Sequence, residues 1–361
     1  MNKSFWKGKK VFVTGHTGFK GSWLSMWLYH LGAQVKGYAL AQDHTLSLFE
    51  VAKVGARMDS QIGDIRDLSA LSAAVYDFQP DVVFHLAAQP LVKFSYKNPV
   101  ETYETNVMGT VHLFEAVRSC RSVRAVVNVT TDKVYENQKQ LKGYLETDRL
   151  GGYDPYSNSK ACSELLTSSY VQSFFSPENY AQHGVALATA RAGNVIGGGD
   201  WAKDRLIPDL MRAILHSRDF VVRNPESVRP WQHVLEPLYG YLLLAEKLYI
   251  ENVKWNGAWN FGPQSEDAVS VSRLIDTFRT QVAGSFPQLS VIRSEEHETN
   301  SLQLNIDKSI NVLHWKPIWR LEQTVQKVLE WYLADPSESY DLCLKQIEDY
   351  ENEREVYDVQ Y

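Results

Sequence analysis

The chain has 361 residues, of which 44% are hydrophobic and 22% are charged, and its formal net charge at pH 7 is −6. A chain of this length and composition is expected to fold into two domains, or one large domain with an annexe, and is neither disordered nor collagen-like. The acidic balance and the absence of a basic tract indicate that nucleic acid is not a partner.

The cysteines and the apolar stretches narrow the protein class further. The three cysteines, Cys120, Cys162 and Cys343, are too scattered for a metal cluster or a disulfide framework. We therefore predict no metal site and a reducing, cytoplasmic location. The uncharged stretch from Gly21 to Val35 is too short and too polar to span a bilayer, and no signal peptide is recognisable, so no membrane partner is expected.

The first half of the chain alternates short apolar runs with helical patterns. The predicted strands are Lys10–Thr14, Gln34–Tyr38, Met58–Gly63, Asp81–Leu86, Ala125–Val129 and Ala186–Arg191. The predicted helices between them are Gly21–Leu31, Ser69–Phe78, Pro99–Arg118 and Pro155–Phe174. Near-continuous apolar strands separated by helices indicate βαβ units and a parallel sheet covered on both faces. The predicted fold class is therefore α/β, with a Rossmann-like doubly wound parallel sheet.

Beyond Gly193 the pattern loosens. We predict helices at Leu206–Leu215, Leu238–Tyr249, Val271–Val282 and Leu321–Ala334, and a late strand of the same sheet at Ala258–Gly262. The segment from Lys345 carries six acidic residues against two basic ones. It is expected to be a solvated terminal helix or a frayed tail.

A glycine-rich loop follows the first predicted strand directly. Residues 14–21 read Thr-Gly-His-Thr-Gly-Phe-Lys-Gly and open the first helix. Glycines at this spacing allow a tight turn and the close approach of a pyrophosphate, which then lies at the positive end of the helix. The sequence therefore predicts a dinucleotide-binding loop made of Gly15, His16, Thr17, Gly18, Phe19, Lys20 and Gly21.

The acidic residue that usually binds the ribose at the end of the second strand is missing. The first carboxylate after that strand is Asp43, and no arginine stands there to bind a 2′-phosphate. NAD is therefore favoured over NADP as the cofactor. Asp64 and Ile65, just past the third strand, are the next candidates for the adenine end. The alternative, that they cap the helix beginning at Ser69, stays open.

These patterns suggest a division of the chain by function. Residues 1–192, completed by about 230–262, would form an NAD-binding Rossmann domain. Residues 193–229 and 263–361 would form a smaller C-terminal substrate-binding domain.

Tyr156 and Lys160 are four residues apart at the start of a predicted helix, with Asp154 as its cap and Pro155 at its first position. This spacing places both side chains on one helix face. A tyrosine is only about one-thousandth ionised at pH 7, so a nearby ammonium and a cationic nicotinamide would favour the phenolate. Tyr156 could then act as a base towards a sugar or alcohol hydroxyl.

A polar run, Asn128-Val129-Thr130-Thr131-Asp132-Lys133, ends the fifth predicted strand. Parallel sheets bind their ligands at this edge. The glycine loop, this run and the Tyr-Lys pair therefore come in an order that favours a single active site.

Together these motifs resemble the extended short-chain dehydrogenase/reductase superfamily. The match continues through His85-Leu86-Ala87-Ala88-Gln89, Asn106-Val107-x-Gly109-Thr110 and Arg191-Ala192-Gly193-Asn194-Val195, and it covers essentially the whole chain. Within the superfamily, three longer runs resemble the CDP-glucose 4,6-dehydratase family. They are TGHTGFKGSWL at 14–24, RAGNVIGGGDW at 191–201 and RPWQHVLEPLYGYL at 229–242.

The resemblance implies an internal redox reaction on CDP-glucose. Tyr156 would deprotonate the carbon 4 hydroxyl while hydride passes to NAD. Water would then leave across carbons 5 and 6, and the hydride would return to carbon 6. The product, CDP-4-keto-6-deoxyglucose, would serve 3,6-dideoxyhexose formation in O-antigen and lipopolysaccharide biosynthesis.

Asp132 would be the acid that expels the carbon 6 hydroxyl, and the alternative is that its carboxylate simply ends a strand. Many related dehydratases have Asp-Glu here, whereas this chain has Asp132-Lys133. Lys133 could remove the carbon 5 proton only if burial or charge lowers its pKa, and otherwise it would stabilise the enolate. The Thr-Asp-Lys triplet also resembles the inverting UDP-N-acetylglucosamine dehydratases. That activity, a nucleotide-sugar 4-epimerase and a binding protein without turnover stay as alternatives.

The resemblance also implies the residues of the site and the assembly. The catalytic residues would be Thr131, Asp132, Lys133, Tyr156 and Lys160. Besides the glycine loop, the cofactor would contact Asp64, Ile65, Leu86, Ala87, Ala88, Gln89, Asn106, Thr130, Tyr156 and Lys160. The substrate would contact Gln89, Asn194, Arg205 and Arg229. The helices near Pro99–Arg118 and Pro155–Phe174 would pair across a two-fold axis into a four-helix bundle, giving a homodimer or homotetramer.

Overall fold

The computed structural model describes residues 1–42, 44–138, 142–292 and 302–360. The strands are β1 Lys10–Thr14, β2 Gln34–Ala39, β3 Asp59–Ile62, β4 Val82–His85, β5 Ala125–Val129, β6 Ala186–Ala192, β7 Val195–Ile196, β8 Phe220–Arg223, β9 Val228–Pro230, β10 Gln232–His233, β11 Gly257–Phe261, β12 Ala268–Ser270 and β13 Leu289–Ile292. The α-helices are α1 Lys3–Trp6, α2 Phe19–His30, α3 Leu48–Val51, α4 Leu68–Phe78, α5 Val92–Lys97, α6 Pro99–Tyr103, α7 Gly109–Arg118, α8 Pro155–Ser173, α9 Tyr180–His183, α10 Leu206–Leu215, α11 Leu235–Glu251, α12 Val271–Gln281, α13 Asp307–Asn311, α14 Leu321–Leu333 and α15 Ser339–Gln360.

A parallel sheet of seven strands organises the fold, in the order β11-β6-β5-β4-β1-β2-β3. The strand order reverses between β1 and β4, so a crevice opens there at the carboxyl ends of the strands. The central strands are buried along their whole length, and apolar clusters lie on both faces of the sheet. The predicted α/β fold class is confirmed, and all seven predicted strands are present, including the late strand, which pairs with β6.

The predicted helix Pro99–Arg118 is not one regular helix. A π-helical turn, Glu104–Met108, separates α6 from α7. Here the N–H of Gly109 donates to the carbonyl of Glu104, and the Thr110 hydroxyl donates to the carbonyl of Asn106 at 2.7 Å. The turn shifts the side-chain register, and Asn106 is buried.

The C-terminal segment differs from the expectation. Residues 339–360 form α15, and its apolar residues Cys343, Ile347 and Tyr350 are fully buried. Tyr350 donates to the Glu236 carboxylate at 2.7 Å. The expected terminal helix is confirmed, but the expectation that it is solvated, or a frayed tail, is wrong. These apolar residues share one helix face that packs on the core, while the acidic residues lie mostly on the other face.

Three two-stranded sheets, β7–β10, β9–β12 and β8–β13, lie beyond the main sheet in the second half of the chain. Most of their strands fall within the segments 193–229 and 263–361 that the sequence assigns to substrate binding. The division of the chain into two domains stays a prediction. Among the described residues, no helix combines the length and the apolar character needed to cross a membrane.

Candidate active site

The loops after β1 and β4 are joined at the crevice by Thr14. Its hydroxyl accepts hydrogen bonds from the backbone N–H groups of Leu86 and Ala87, both at 3.2 Å, and contacts Nδ1 of His85 at 2.8 Å. The buried His85 ring also contacts Thr110. Burial lowers the pKa of His85 to about 3, so this ring is a neutral packing element.

The glycine loop forms a tight cradle in which two positions have no room for a side chain. Gly15 has φ +76°, and a Cβ atom there would lie 2.7 Å from the backbone nitrogen of Ala87. A Cβ atom at Gly21 would lie 2.1 Å from the carbonyl oxygen of Gly15. Both positions therefore require glycine, because the loop packs directly on the backbone that follows β4 and on itself where α2 begins. This geometry fits a dinucleotide pyrophosphate.

The side chains of the glycine loop have separate partners. His16 is fully buried, its Nε2 contacts the Ser60 hydroxyl at 2.7 Å, and burial lowers its pKa to about 4. Thr17 donates to the carbonyl of Leu40 at 2.9 Å. Lys20 donates to the Tyr241 hydroxyl at 3.4 Å, and the charges of Asp132 and Lys160 act on it. Burial lowers the pKa of Lys20 to about 7, while the charge of Asp132 opposes this shift.

At the candidate adenine end, Asp64 binds Arg66 with a shortest contact of 2.6 Å, and this hydrogen bonding holds the pKa of Asp64 below its usual range. The helix-cap alternative for Asp64 and Ile65 is wrong. Asp67 caps α4, accepting from the N–H of Ala70 at 2.9 Å. Ile65 is buried, and Asp43 lies outside the described residues.

Asn106 and Gln89 support the loop after β4. Asn106 accepts from the backbone N–H of Gln89 at 2.8 Å and donates to its carbonyl at 3.1 Å and to the Ser159 hydroxyl at 2.9 Å. The Gln89 amide donates to Thr102 at 3.0 Å. Both side chains therefore connect the loop 86–89 to the helices, and contact of either with a ligand stays a prediction.

Tyr156 and Lys160 lie on the first turns of α8, which Asp154 caps and Pro155 begins, as predicted. Lys160 is buried and donates to the carbonyl of Val129, the last residue of β5, at 3.0 Å. Burial lowers the pKa of Lys160 to about 8.

Burial raises the pKa of Tyr156 to about 12. A hydrogen bond with Thr131 and the positive charge of Arg205 oppose this shift. Arg205, which the sequence assigned to the substrate, pairs with Asp200 at 2.9 Å and acts electrostatically on Tyr156 as well. It is therefore a cation that favours the phenolate.

Asp132 is a buried carboxyl with one free oxygen. The residue is 2% exposed, and its Oδ1 accepts from the Thr131 hydroxyl at 3.0 Å. Its buried Oδ2 has no hydrogen-bond partner within the described ranges. Burial raises the pKa of Asp132, although the charges of Lys133, Arg229 and Lys20 oppose the shift. Such a group can hold a proton and deliver it to a ligand.

Lys133 follows on the same turn, but its side chain is exposed. It therefore lacks the burial on which a role as the carbon 5 base would depend. Its charge still acts on Asp132.

The substrate-side candidates approach the same place from the second half of the chain. Asn194 follows β6, and its carbonyl accepts from the N–H of Gln232 at 3.2 Å. Arg229 donates to the carbonyl of Val228 at 2.9 Å, and its charge acts on Asp132. The charges of Asp132 and Arg205 thus act on Tyr156, and the charge of Arg229 acts on Asp132.

Sequence reasoning missed two residues of this site, Glu164 and Tyr241. Glu164 is one helical turn beyond Lys160, so the i,i+4 spacing could have indicated it. Tyr241 comes from α11 and lies within the run 229–242 that carries the family resemblance, but its contact with Lys20 depends on the tertiary structure.

The parallel sheet, the glycine cradle and the Tyr-Lys pair beside a buried acid define an enzyme of the extended short-chain dehydrogenase/reductase class. The family model described as GDP-mannose 4,6 dehydratase matches residues 12–328. The chain belongs to this family.

Individual relatives agree with this family. The chain is 52% identical over 334 residues to CDP-glucose 4,6-dehydratase of Salmonella typhimurium, covering 92% of this chain and 93% of that protein. It is 24% identical over 356 residues to dTDP-glucose 4,6-dehydratase of Shigella flexneri, covering 90% and 93%. Among solved structures, UDP-glucose 4-epimerase from Brucella ovis in complex with NAD superposes with a TM-score of 0.75 at 20% identity, covering 90% and 98%. The structural likeness supports the fold.

Proposed function

We propose that this chain is a CDP-glucose 4,6-dehydratase that uses NAD and releases CDP-4-keto-6-deoxyglucose. The observation that carries the proposal is Asp132, a buried carboxyl with a raised pKa and a free oxygen beside Tyr156. Loss of the carbon 6 hydroxyl needs such an acid, whereas epimerisation at carbon 4 does not. The 52% identity to a CDP-glucose 4,6-dehydratase supports this substrate.

The reaction begins at Tyr156. Its phenolate, favoured by Thr131 and Arg205, removes the proton from the carbon 4 hydroxyl. NAD held by the glycine loop would supply the hydride acceptor for carbon 4 and the hydride donor for carbon 6. Lys160, the loop 86–89 and the N-terminus of α2 would hold the cofactor in place.

Asp132 acts in the second half of the reaction. The 4-ketone acidifies the carbon 5 proton, which passes to water as the enolate forms. The enolate then expels the carbon 6 hydroxyl, which takes the proton of the Asp132 carboxyl and leaves as water, and carbon 5 regains a proton from water when the hydride adds to carbon 6. The exposed Lys133 would stabilise the developing enolate by its charge. Arg229 and Asn194 would bind the pyrophosphate of the sugar nucleotide, because a guanidinium fits phosphate oxygens in a bidentate manner. Arg205 and Gln89 would complete the substrate site.

One alternative keeps a specific observation in its favour. The triplet Thr131-Asp132-Lys133 is also typical of UDP-N-acetylglucosamine dehydratases, so the nucleotide must be tested directly.

The decisive experiment is incubation of the purified protein and NAD with CDP-, dTDP-, UDP- and GDP-sugars. A 4-keto-6-deoxy product, detected by its absorbance in base, should form fastest from CDP-glucose. A faster reaction with a UDP-sugar would contradict the proposed substrate. Scrambling at carbon 4 without elimination would indicate an epimerase.

We also propose a homodimer, alone or paired into a tetramer, formed through α6 to α8. Large apolar side chains on and beside these helices are exposed, and examples are Tyr96, Val100, Met108 and Leu165. A two-fold four-helix contact would cover them. Sedimentation of the wild type and of Leu165→Glu tests this assembly, and a monomeric wild type would contradict it.

The three free cysteines suit a reducing cytoplasm, and a role in lipopolysaccharide biosynthesis follows from the proposed product.

A further inference from the structure

Glu164 is a buried carboxylate that joins three elements behind the active site. It is 5% exposed and accepts four hydrogen bonds. The hydroxyls of Thr130 and Thr189 donate at 2.5 and 2.7 Å, and the Arg191 guanidinium donates twice, both at 2.9 Å. Helix α8 is thereby fixed to the ends of β5 and β6. A buried carboxylate needs such pairing because unpaired burial of a charge is costly.

The position of Glu164 relates it to the catalytic residues. Glu164 and Lys160 are one turn apart on the same face of α8. Lys160 holds the carbonyl of Val129, and Glu164 holds the side chain of the next residue, Thr130. Thr131 and Asp132 follow immediately. The end of β5 is therefore clamped to α8 twice at the point where the acid emerges.

The charge of Glu164 also acts on Lys160. Burial lowers the pKa of Lys160, and Glu164 is the carboxylate that opposes the shift. The other titratable groups facing Lys160 are Tyr156 on the same face of α8, His85 at the end of β4 and Lys20 on α2. The Lys160 charge lowers the pKa of His85 and of Lys20. His85 and Lys20 cannot serve as a counter-ion to an ammonium, and burial, which raises the pKa of Tyr156, favours a neutral phenol there. Glu164 therefore supplies the negative charge that Lys160 needs in order to stay protonated.

We propose that Glu164 is a positioning residue of the dehydratase reaction, which clamps the β5 end to α8 and keeps Lys160 as an ammonium. This inference rests on the proposed function. It adds a residue that touches neither substrate nor cofactor and acts through Lys160, Thr130 and the strand end.

The test begins with Glu164→Gln, which keeps the shape of the side chain and removes its charge. In the NAD complex, where the cationic nicotinamide favours the Tyr156 phenolate, loss of the Lys160 proton should set the alkaline limb of the kcat profile. This limb should move to lower pH in the variant. At pH 8, kcat should fall more than tenfold while the KM for CDP-glucose changes little, because Glu164 does not face the substrate. Glu164→Asp, which keeps the charge, should retain the alkaline limb of the wild type.

Because Glu164→Gln leaves the Arg191 guanidinium buried without its partner, a second variant separates structure from function. The double variant Glu164→Gln/Arg191→Met should regain much of the lost melting temperature, yet its alkaline limb should stay at the lower pH. Glu351→Gln is the matched control, since Glu351 is also a buried carboxylate, bonded by Trp27 at 2.6 Å on α15. This control should lower the melting temperature and leave the pH profile unchanged.

A double variant with the wild-type alkaline limb would overturn the proposal and reduce Glu164 to a structural ion pair. The pH dependence of NAD binding, measured by calorimetry without CDP-glucose, provides the independent readout. Affinity should decline at lower pH in the double variant than in the wild type. If wild-type protein fails to convert CDP-glucose but this shift is present, the proposed function fails and the role of Glu164 stands. An unshifted binding profile contradicts the role of Glu164 whatever the substrate.

Discussion

The free oxygen of Asp132 lies against the α-carbon of Gly193, so closely that a Cβ atom at Gly193 would be 2.2 Å from Oδ2. The proposed acid and the loop after β6 are therefore packed with no space between them. Only glycine at this position lets the carboxyl keep its orientation.

Gly193→Ala should consequently displace Asp132 and slow formation of the 4-keto-6-deoxy product by about 100-fold, because a shift of about 1 Å in a reacting group has an effect of this size. Gly262→Ala is the matched control, since a Cβ atom there meets its nearest neighbour at an ordinary 3.5 Å. Steady-state kinetics of both variants check the prediction. Equal activity of the two would show that Asp132 tolerates the displacement.

Asp132→Asn keeps the shape of the side chain but cannot donate the proton to the carbon 6 hydroxyl. Oxidation at carbon 4 should survive, so that reduced cofactor or a 4-keto-hexose accumulates in a single turnover. Release of the 4-keto-6-deoxy product should slow by about 10²- to 10⁴-fold. Rapid-quench analysis with absorbance at the NADH band measures both steps. Wild-type turnover would make Asp132 a structural residue.

The same substitution should stabilise the protein at neutral pH. Burial raises the pKa of Asp132 above its ordinary value of 3.8, so the folded state binds the proton more tightly than the unfolded state. The free energy of unfolding of the wild type therefore falls as the pH rises from 3.8 through the raised pKa. Asp132→Asn removes this pH-dependent decrease in the free energy of unfolding, because the amide does not ionise. Its melting temperature should exceed that of the wild type at pH 7, and the difference should shrink towards pH 4.

Tyr156→Phe removes the proposed base and leaves the ring in place. Turnover should fall by about 10²- to 10⁴-fold, while calorimetry should show nearly unchanged binding of NAD and CDP-glucose. Substantial remaining product would assign the first proton transfer to another group.

Arg205→Met removes a positive charge that opposes the raised pKa of Tyr156. The acid limb of the kcat profile, at which the phenol must lose its proton, should therefore move to higher pH. Arg205→Lys keeps the charge and should keep the limb close to that of the wild type. If the Met and Lys variants share the wild-type limb, Arg205 contributes to substrate binding alone.

Local patterns explain why most of the fold was predictable. The buried parallel strands are near-continuous apolar runs, and two of them, β1 and β5, have the bounds that the sequence predicts. The cap of α8 at Asp154 is equally local. The π-helical turn around Asn106 has no local signal in the sequence. Gly109, which follows it, packs against Ile65 so closely that a Cβ atom would come within 2.8 Å, and such a contact exists only in the folded chain. The burial of α15 was missed because its partners, Trp27 and Glu236, lie far away in the sequence.

The sequence by itself determined the α/β class, the glycine loop and the Tyr156–Lys160 pair, because each depends on residues that are neighbours along the chain. Only the tertiary structure decided how strongly the ionisable groups of the site bind their protons. Burial raises the pKa of Asp132, Arg205 reaches Tyr156 from another segment, and Lys133 is left exposed beside its buried neighbour. Proton affinity depends on solvent exclusion and on charges brought together across the fold, and neither is encoded in the spacing of residues along one strand or helix.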